Sequence, residues 1–379
     1  MSEQSSSAAS PSPNPLPQGE GASPSPSPLA GEGRGEGWAA RFTFSKKDLF
    51  PRIALAVVLS MLCAAILIAL SGHNPLTAFA AMAEGAVGSA HQLGVALNKT
   101  TPYLLAGSGV ALCFRAGVIN IGAEGQIAVG GRGTAAVALA LPIDASLPAI
   151  VLALAGGALA GAAWAALAAA IHLGRQVHEV LVTLLLNFVA ALLVQQALAG
   201  PLGEFGAGFL QSPRMPAAVW LPRAIPGLDA HPGFLIAIVL AAALSFLLWR
   251  TRFGFSLRVA GASRPAAAYA GFSVAGLTWK VMLLAGALAG LAGGIEVLGV
   301  HRRLIEGFSL GFGFKAVTVA LLGALEPFAV IPAALFVGLL EAGALSMQRQ
   351  VGVPSSLVAV IEGLTMLFVL AATVRRRAA

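Results

Sequence analysis

The sequence predicts an all-α polytopic membrane protein of about 8–10 transmembrane helices, some of them discontinuous, with both termini cytoplasmic. Three observations carry that prediction. The 379-residue chain is 57% hydrophobic and only 10% charged, against roughly 25% charged residues in a soluble domain. Its mean hydropathy is +0.84. From about Ile53 onward, apolar stretches near bilayer-spanning length follow one another, rich in Ala, Leu, Val and Gly and without period-2 alternation. Backbone groups in hydrocarbon must be satisfied within the chain, and this pattern selects helices over a closed barrel.

Residues 1–40 stand apart. They are dominated by Ser, Pro, Gly and Glu, with a rough repeat of Pro13–Gly21 in Pro26–Gly33. Such a composition buries too little apolar surface to order itself and has no basic-then-apolar signal-peptide pattern, so a disordered cytoplasmic tail is expected. Residues 41–379 are expected to form the transmembrane domain.

The first span covers roughly 52–71, behind Arg41, Lys46, Lys47 and Arg52, which hold the N-terminus inside. A short amphipathic segment, Pro75–Val87, precedes a span near 100–114, and Arg115 and Gly117 mark a turn at the cytoplasmic face. Spans over 119–141, 147–171 and 179–199 come next. Residues 200–232 carry Pro201, Pro213, Pro216, Pro222, Pro226 and Pro232. Proline at that density breaks helices, and parity makes this an extracytoplasmic loop. A span at 234–250 returns the chain to a basic cytoplasmic loop, 251–278. Spans at 279–300, 315–327, 328–347 and 355–373 lead to Arg375-Arg376-Arg377; the second is too short to cross alone and reads as a half-helix. Parity leaves Lys99, Arg214, Arg223, Arg302, Arg303 and Arg349 outside, against the positive-inside trend.

The net charge of +7 is accounted for by inside loops rather than by nucleic-acid binding. Cys63 and Cys113 lie in apolar runs as packing residues. No phosphate-cradling GxxxxGK[ST], GxSxG or HExxH occurs, and the histidines lack ligand spacing. Neither a catalytic residue nor a metal site is expected. A transporter, not an enzyme, is the reading.

Three groups of polar residues fall where apolar ones would be cheaper. Arg115–Gln126 packs Arg115, Asn120, Glu124 and Gln126 among three glycines. Glycines permit a broken backbone and the polar groups can satisfy what the break frees, as in discontinuous helices that line transport pathways; a helix-packing knot is the alternative. Glu179, Thr183, Asn187 and Gln195 recur at helical spacing on one face, as interhelical glue or as a wetted pathway with Asn187 at its centre. Glu296, Glu341 and Glu362 lie inside apolar runs with Lys315 near a segment start. Lys315 is expected to pair with one of them, since a lone charge at bilayer depth costs a few kcal/mol. An ion-gradient-driven transporter using these glutamates is the alternative mechanism.

Further motifs bring in a resemblance. Thr101–Gly107, Phe114–Gly117, Asn120–Gln126, Glu179–Asn187, Gly261–Gly271, Gly286–Gly293 and Gly313–Gly323 occur in order. Over about 50–375 the chain resembles the nucleoside and simple-sugar permeases of bacterial ABC importers, within the branched-chain amino acid and ribose permease superfamily. The resemblance implies a multi-pass subunit of the bacterial plasma (inner) membrane that pairs with a second permease, a paralogue or a copy. It further implies two cytoplasmic ATP-binding subunits, which hold the ATP and Mg, and an extracytoplasmic substrate-binding protein. This chain would bind no cofactor. The 251–278 loop would then carry a coupling helix over Ser263–Tyr269 that sits in the ATPase, with Arg258, Gly261, Ser263, Arg264, Pro265, Ala266, Ala267, Tyr269 and Gly271 as coupling residues. Ser263 and Lys315 depart from the family's usual Asn and acidic residue.

Overall fold

The computed structural model describes residues 49–140, 146–223, 227–309 and 311–373. The expected tail at 1–40 and the arginines at 375–377 lie outside the described residues. The helices are α1 (Leu49–Leu70), α2 (Pro75–Val87), α3 (Ala90–Arg115), α4 (Ala123–Ala140), α5 (Ser146–Arg175), α6 (Glu179–Ala199) and α7 (Gly233–Arg250). After them come α8 (Arg252–Ala262), α9 (Arg264–Tyr269), α10 (Val274–Glu296), α11 (Phe312–Leu322), α12 (Pro327–Val351) and α13 (Ser355–Thr373). Six of them (α5, α6, α7, α10, α12 and α13) are long and apolar enough to cross a bilayer. Shorter apolar helices are Ala54–Leu70, within α1, and the 11-residue α11, which lies three to five residues earlier than the half-helix expected at 315–327.

Local chemistry sets the boundaries. Asn74 caps α2 through the Leu76 N–H, with Pro75 at the helix start, and Ser89 caps α3 through the Gln92 N–H. The α3 helix begins at Ala90, earlier than the expected 100, because this cap and the surrounding protein carry Lys99 within the helix. The α4 helix begins only at Ala123, so the expected span from 119 is corrected: residues 116–122 are not helical. The expected loop at 251–278 holds α8 and the short helix α9, and it ends earlier than expected, because α10 already begins at Val274.

The α10 helix is the axis of the bundle. Its spanning window is 78% buried, against 28–44% for the other five long apolar helices, and it packs on α3, α4 and α5. Lipid offers no hydrophobic drive for helix association, so close backbone approach supplies the contact. At Gly290 a β-carbon would sit 2.3 Å from the Gly157 carbonyl oxygen, and at Gly161 it would sit 2.6 Å from the Gly290 Cα. Only glycine allows α5 and α10 to meet there. A smaller apolar cluster joins α1, α2, α12 and α13 around Ile68, Met347 and Ile361.

The described residues of the 200–232 connection, 200–223 and 227–232, form a cap on the bundle. The Ser212 N–H donates to the Leu304 carbonyl at 2.8 Å and the Met215 N–H to that of Arg302 at 3.0 Å. Most of the cations that parity leaves outside have partners here. Arg214 and Arg302 lie over the Trp220 ring at 4.6 and 4.5 Å, while Arg303 meets Glu204 at 3.3 Å and Arg223 meets Asp229 at 2.8 Å. The α7 helix runs directly from this cap to α8, which puts cap and α8–α9 at opposite ends of the bundle.

Candidate functional site: a junction of broken helices and the cavity beside it

Two crossings are interrupted, and the interruptions meet. After α3 the chain runs without helix over 116–122. After α10 it passes through a π turn at Val297–His301, turns at Arg302 (φ 57°) and reaches Gly311 (φ 91°) before α11 starts. Glu124, in the first turn of α4, accepts hydrogen bonds from the Gly311 N–H at 3.2 Å and the Gly313 N–H at 2.7 Å. The first N–H groups of a helix have no internal acceptor and carry partial positive charge, so this carboxylate caps α11 from another helix. The backbones touch at this point: a β-carbon on Gly313 would stand 2.0 Å from the Glu124 nitrogen.

The α6 stripe satisfies the first interruption. The Ile121 N–H donates to Thr183 Oγ1 at 3.3 Å, the Gly125 N–H to Asn187 Oδ1 at 2.9 Å, and Asn187 Nδ2 donates to the Ile121 carbonyl at 3.0 Å. Asn120 accepts from the Gly122 N–H at 2.9 Å and bonds Gln126, both side chains being buried. An unpaired amide in an apolar interior costs roughly 1–3 kcal/mol, and these polar groups remove that cost. Thr183, Asn120 and Gln126 therefore hold the broken backbone together. Arg115 does so too, donating from Nε to the Leu325 carbonyl at 3.0 Å and from Nη2 to that of Ala324 at 3.1 Å, across the turn between α11 and α12.

Beside the junction lies a cavity of about 300 Å³ between α4, α6 and the 306–314 segment. Of the six residues anticipated for a pathway, Glu124 and Asn187 line it, and Gln195 completes the α6 contribution. Phe188, Phe308 and Phe314 give it aromatic walls. At its rim Gln195 Nε2 donates to Glu306 Oε1 at 3.0 Å.

At the far end, α9 spans Arg264–Tyr269. The Ser263 hydroxyl accepts from the Ala266 N–H, Pro265 takes the second helical position, and Gly271 turns with φ 81°. Ala267 is buried, while Tyr269 is 97% exposed. The pair α8–α9 is bolted to the 116–122 segment. Gly261 abuts the Arg115 carbonyl so closely that a β-carbon would stand 1.9 Å away, and Arg264 donates to the Gly117 carbonyl at 2.7 Å while lying 3.7 Å from Glu179. Arg258 stacks on Trp249 at 4.6 Å. The stretch that departs from helix between α3 and α4 thus touches α8–α9 at one end and the cavity wall at the other.

Lys315, Glu341 and Glu362 are paired among the intramembrane charges. Lys315 Nζ lies 2.9 Å from Glu362 and 3.3 Å from Glu341, and Lys99 lies 3.2 Å from Glu341. Tyr103 donates to Glu341, and Glu296 stands 3.5 Å from His301. Lys315 therefore has two carboxylate partners where one was expected. Two participants went unread in the sequence: Lys99, noted only as a cation on the unexpected side, and Tyr103, inside a motif quoted for resemblance. Glu326, bonded by Ser245 and Trp249, was missed as well; its place beside Pro327 was the only sign.

Comparison with known proteins fits this architecture. The family described as branched-chain amino acid transport system / permease component matches residues 92–370. The chain belongs to that family. This permease is 33% identical over 321 residues to the guanosine ABC transporter permease protein NupP of Bacillus subtilis, covering 83% of this chain and 91% of that one. It is 36% identical over 309 residues to the glucose ABC transporter permease protein TsgB13 of Haloferax volcanii, covering 78% and 80%. It is 27% identical over 334 residues to the nucleoside ABC transporter permease protein NupB of Lactococcus lactis, covering 86% and 91%. No solved structure matches it significantly. The permease is thus a multi-pass inner-membrane transport subunit of the ABC class. The gradient-driven alternative gains no support from these relatives, which are permeases of ABC transporters.

Proposed function

We propose that this permease carries nucleosides, or related small solutes containing a sugar, into the cell. A second permease completes the passage, and two ATPase subunits on separate chains drive alternating access through α9. The reading draws its substrate class from relatives named for guanosine and nucleosides. The observation that carries the mechanism is the cavity: carboxylate, amide and aromatic groups converge there, on an open side of α6. A nucleoside offers amide-like edges and a hydroxyl-rich ring to such groups and an aromatic face to the phenylalanines.

The link to the motor follows from the contacts. A push on α9 reaches Gly117 through Arg264 and the 116–122 segment through Gly261, and from there the Asn187–Gly125 bond at the cavity wall. The test is uptake of radiolabelled guanosine by proteoliposomes holding the whole importer and its binding protein. Uptake is expected to require ATP and to vanish when the ATPase is inactivated. Uptake by this chain alone, under an imposed proton or sodium gradient, would overturn the proposal.

A further inference from the structure

The two most exposed large side chains with apolar rings or chains among the described residues are Phe205, fully exposed, and Tyr269, 97% exposed. They stand at opposite ends of the bundle. Tyr269 has its explanation in the motor, but Phe205 has none so far.

Phe205 sits on a small finger of the cap. The Glu204 N–H donates to the Gln211 carbonyl at 2.9 Å and Gln211 Nε2 donates to Glu204 Oε2 at 2.8 Å, which closes the base of the loop. Arg303 reaches the same carboxylate at 3.3 Å. Leu210 packs into the core, and its carbonyl accepts from the Glu306 N–H at 3.0 Å. Beyond that base the chain turns on Gly206 (φ 81°) and Gly208 (φ 75°), with open space around both. Phe205 and Phe209, 62% exposed, project from the turn. The base is fixed by side chains and backbone alike, and the tip holds two rings away from the protein's own core.

Position says what the finger meets. Glu306, tied to the finger through Leu210, forms the rim of the cavity with Gln195, and the finger follows directly from the end of α6. The finger is therefore joined to the cavity rim, at the end of the bundle opposite α9. Aromatic side chains on a fixed base are the usual anchors of protein interfaces, because they bury much area for little lost freedom.

We propose that the Glu204–Gln211 finger is the docking element for the extracytoplasmic solute-binding protein, with Phe205 as its anchor in an apolar notch on that partner. This rests on the importer reading above. It adds which surface receives the delivered solute.

The test uses the complete importer in lipid nanodiscs and reads ATP hydrolysis against binding-protein concentration. Phe205→Ala is expected to raise the half-saturating concentration about tenfold, the loss of one aromatic anchor, with the shift in that concentration and not in the maximal rate. An unchanged half-saturating concentration overturns the finger while leaving the importer reading intact. A fluorophore at Phe205→Cys gives a second readout: quenching by added binding protein is expected. Quenching by spin-labelled lipid with indifference to the binding protein would make the finger a membrane anchor and overturn the proposal. If the unsubstituted importer shows no stimulation at all, the importer reading fails and the finger proposal with it.

Discussion

Lys315 stands between two carboxylates on different helices, Glu341 of α12 and Glu362 of α13, at 3.3 and 2.9 Å. Lys99 shares Glu341, so two cations and two anions close a neutral network around Tyr103. Removing one member of a buried pair leaves an uncompensated charge, which costs more than the pair contributes. Lys315→Ala should therefore lower the thermal midpoint in detergent strongly, on the order of 3 kcal/mol. Adding Glu362→Gln should restore part of it, because the stranded carboxylate becomes neutral. A double variant whose loss equals the sum of the single losses would sink this account. At this scale the sequence was legible as residue types: charges inside apolar runs announced that they needed partners. Which partner was not legible, since Glu362 is 47 positions away and only packing of α13 on α11 brings it near. The Glu124 cap on α11 was hidden for the same reason, its acceptor and donors being 187 and 189 residues apart.

Among the elements, α2, α6 and α13 have the bounds read from sequence, because each is framed by a proline, a cap residue or a polar break. Of the non-helical 116–122 segment, the turn at Gly117 was read from sequence but residues 119–122 were placed in a span, because the apolar content runs on through the break. The glycines of 115–126 had marked a broken backbone without fixing where it ends. The cap was read only as broken backbone, since proline density tells where helices stop and not where the chain docks. Its docking makes a pH prediction. His231, which ends the cap before α7, is buried with neither ring nitrogen partnered. Burial holds its imidazole below the ordinary 6.5, while the neighbouring Glu296 pulls the other way. The unfolded chain then takes up a proton as pH falls through about 6.5, before the folded one does, so stability is full above that value and declines below it. Protection of the cap amides against hydrogen exchange, corrected for the base-catalysed intrinsic rate, is expected to fall between pH 7 and 5, and His231→Gln should flatten that dependence. An unchanged slope in the variant would assign the sensitivity elsewhere.

For the whole molecule, the decisive asymmetry is between the side that α10 and its glycine contacts seal and the side that α6 leaves open. Along α6, Leu181, Leu185, Phe188 and Leu192 are 51–64% exposed and share one face. Leucine and phenylalanine would tolerate lipid, but the cavity opening along the same helix carries Gln195, Asn187, Glu124 and Glu306. Glu124 and Asn187 are already bonded within the protein, but the Gln195–Glu306 pair at the rim is exposed. A carboxylate facing acyl chains is costly, whereas the proposed second permease against this face would let water and solute occupy the space instead. The α7 helix offers the contrast: Val239 is 65% exposed and does not line the cavity beside α6, so it suits lipid. A photo-reactive amino acid at Leu192 should therefore capture the other permease subunit in intact membranes, and the same probe at Val239 should not. Capture at Val239 alone would turn the assembly around and move the passage away from the Glu124 junction. Capture at Leu192 that also fades when ATP is trapped on the ATPases would tie this face to the motion proposed for α9.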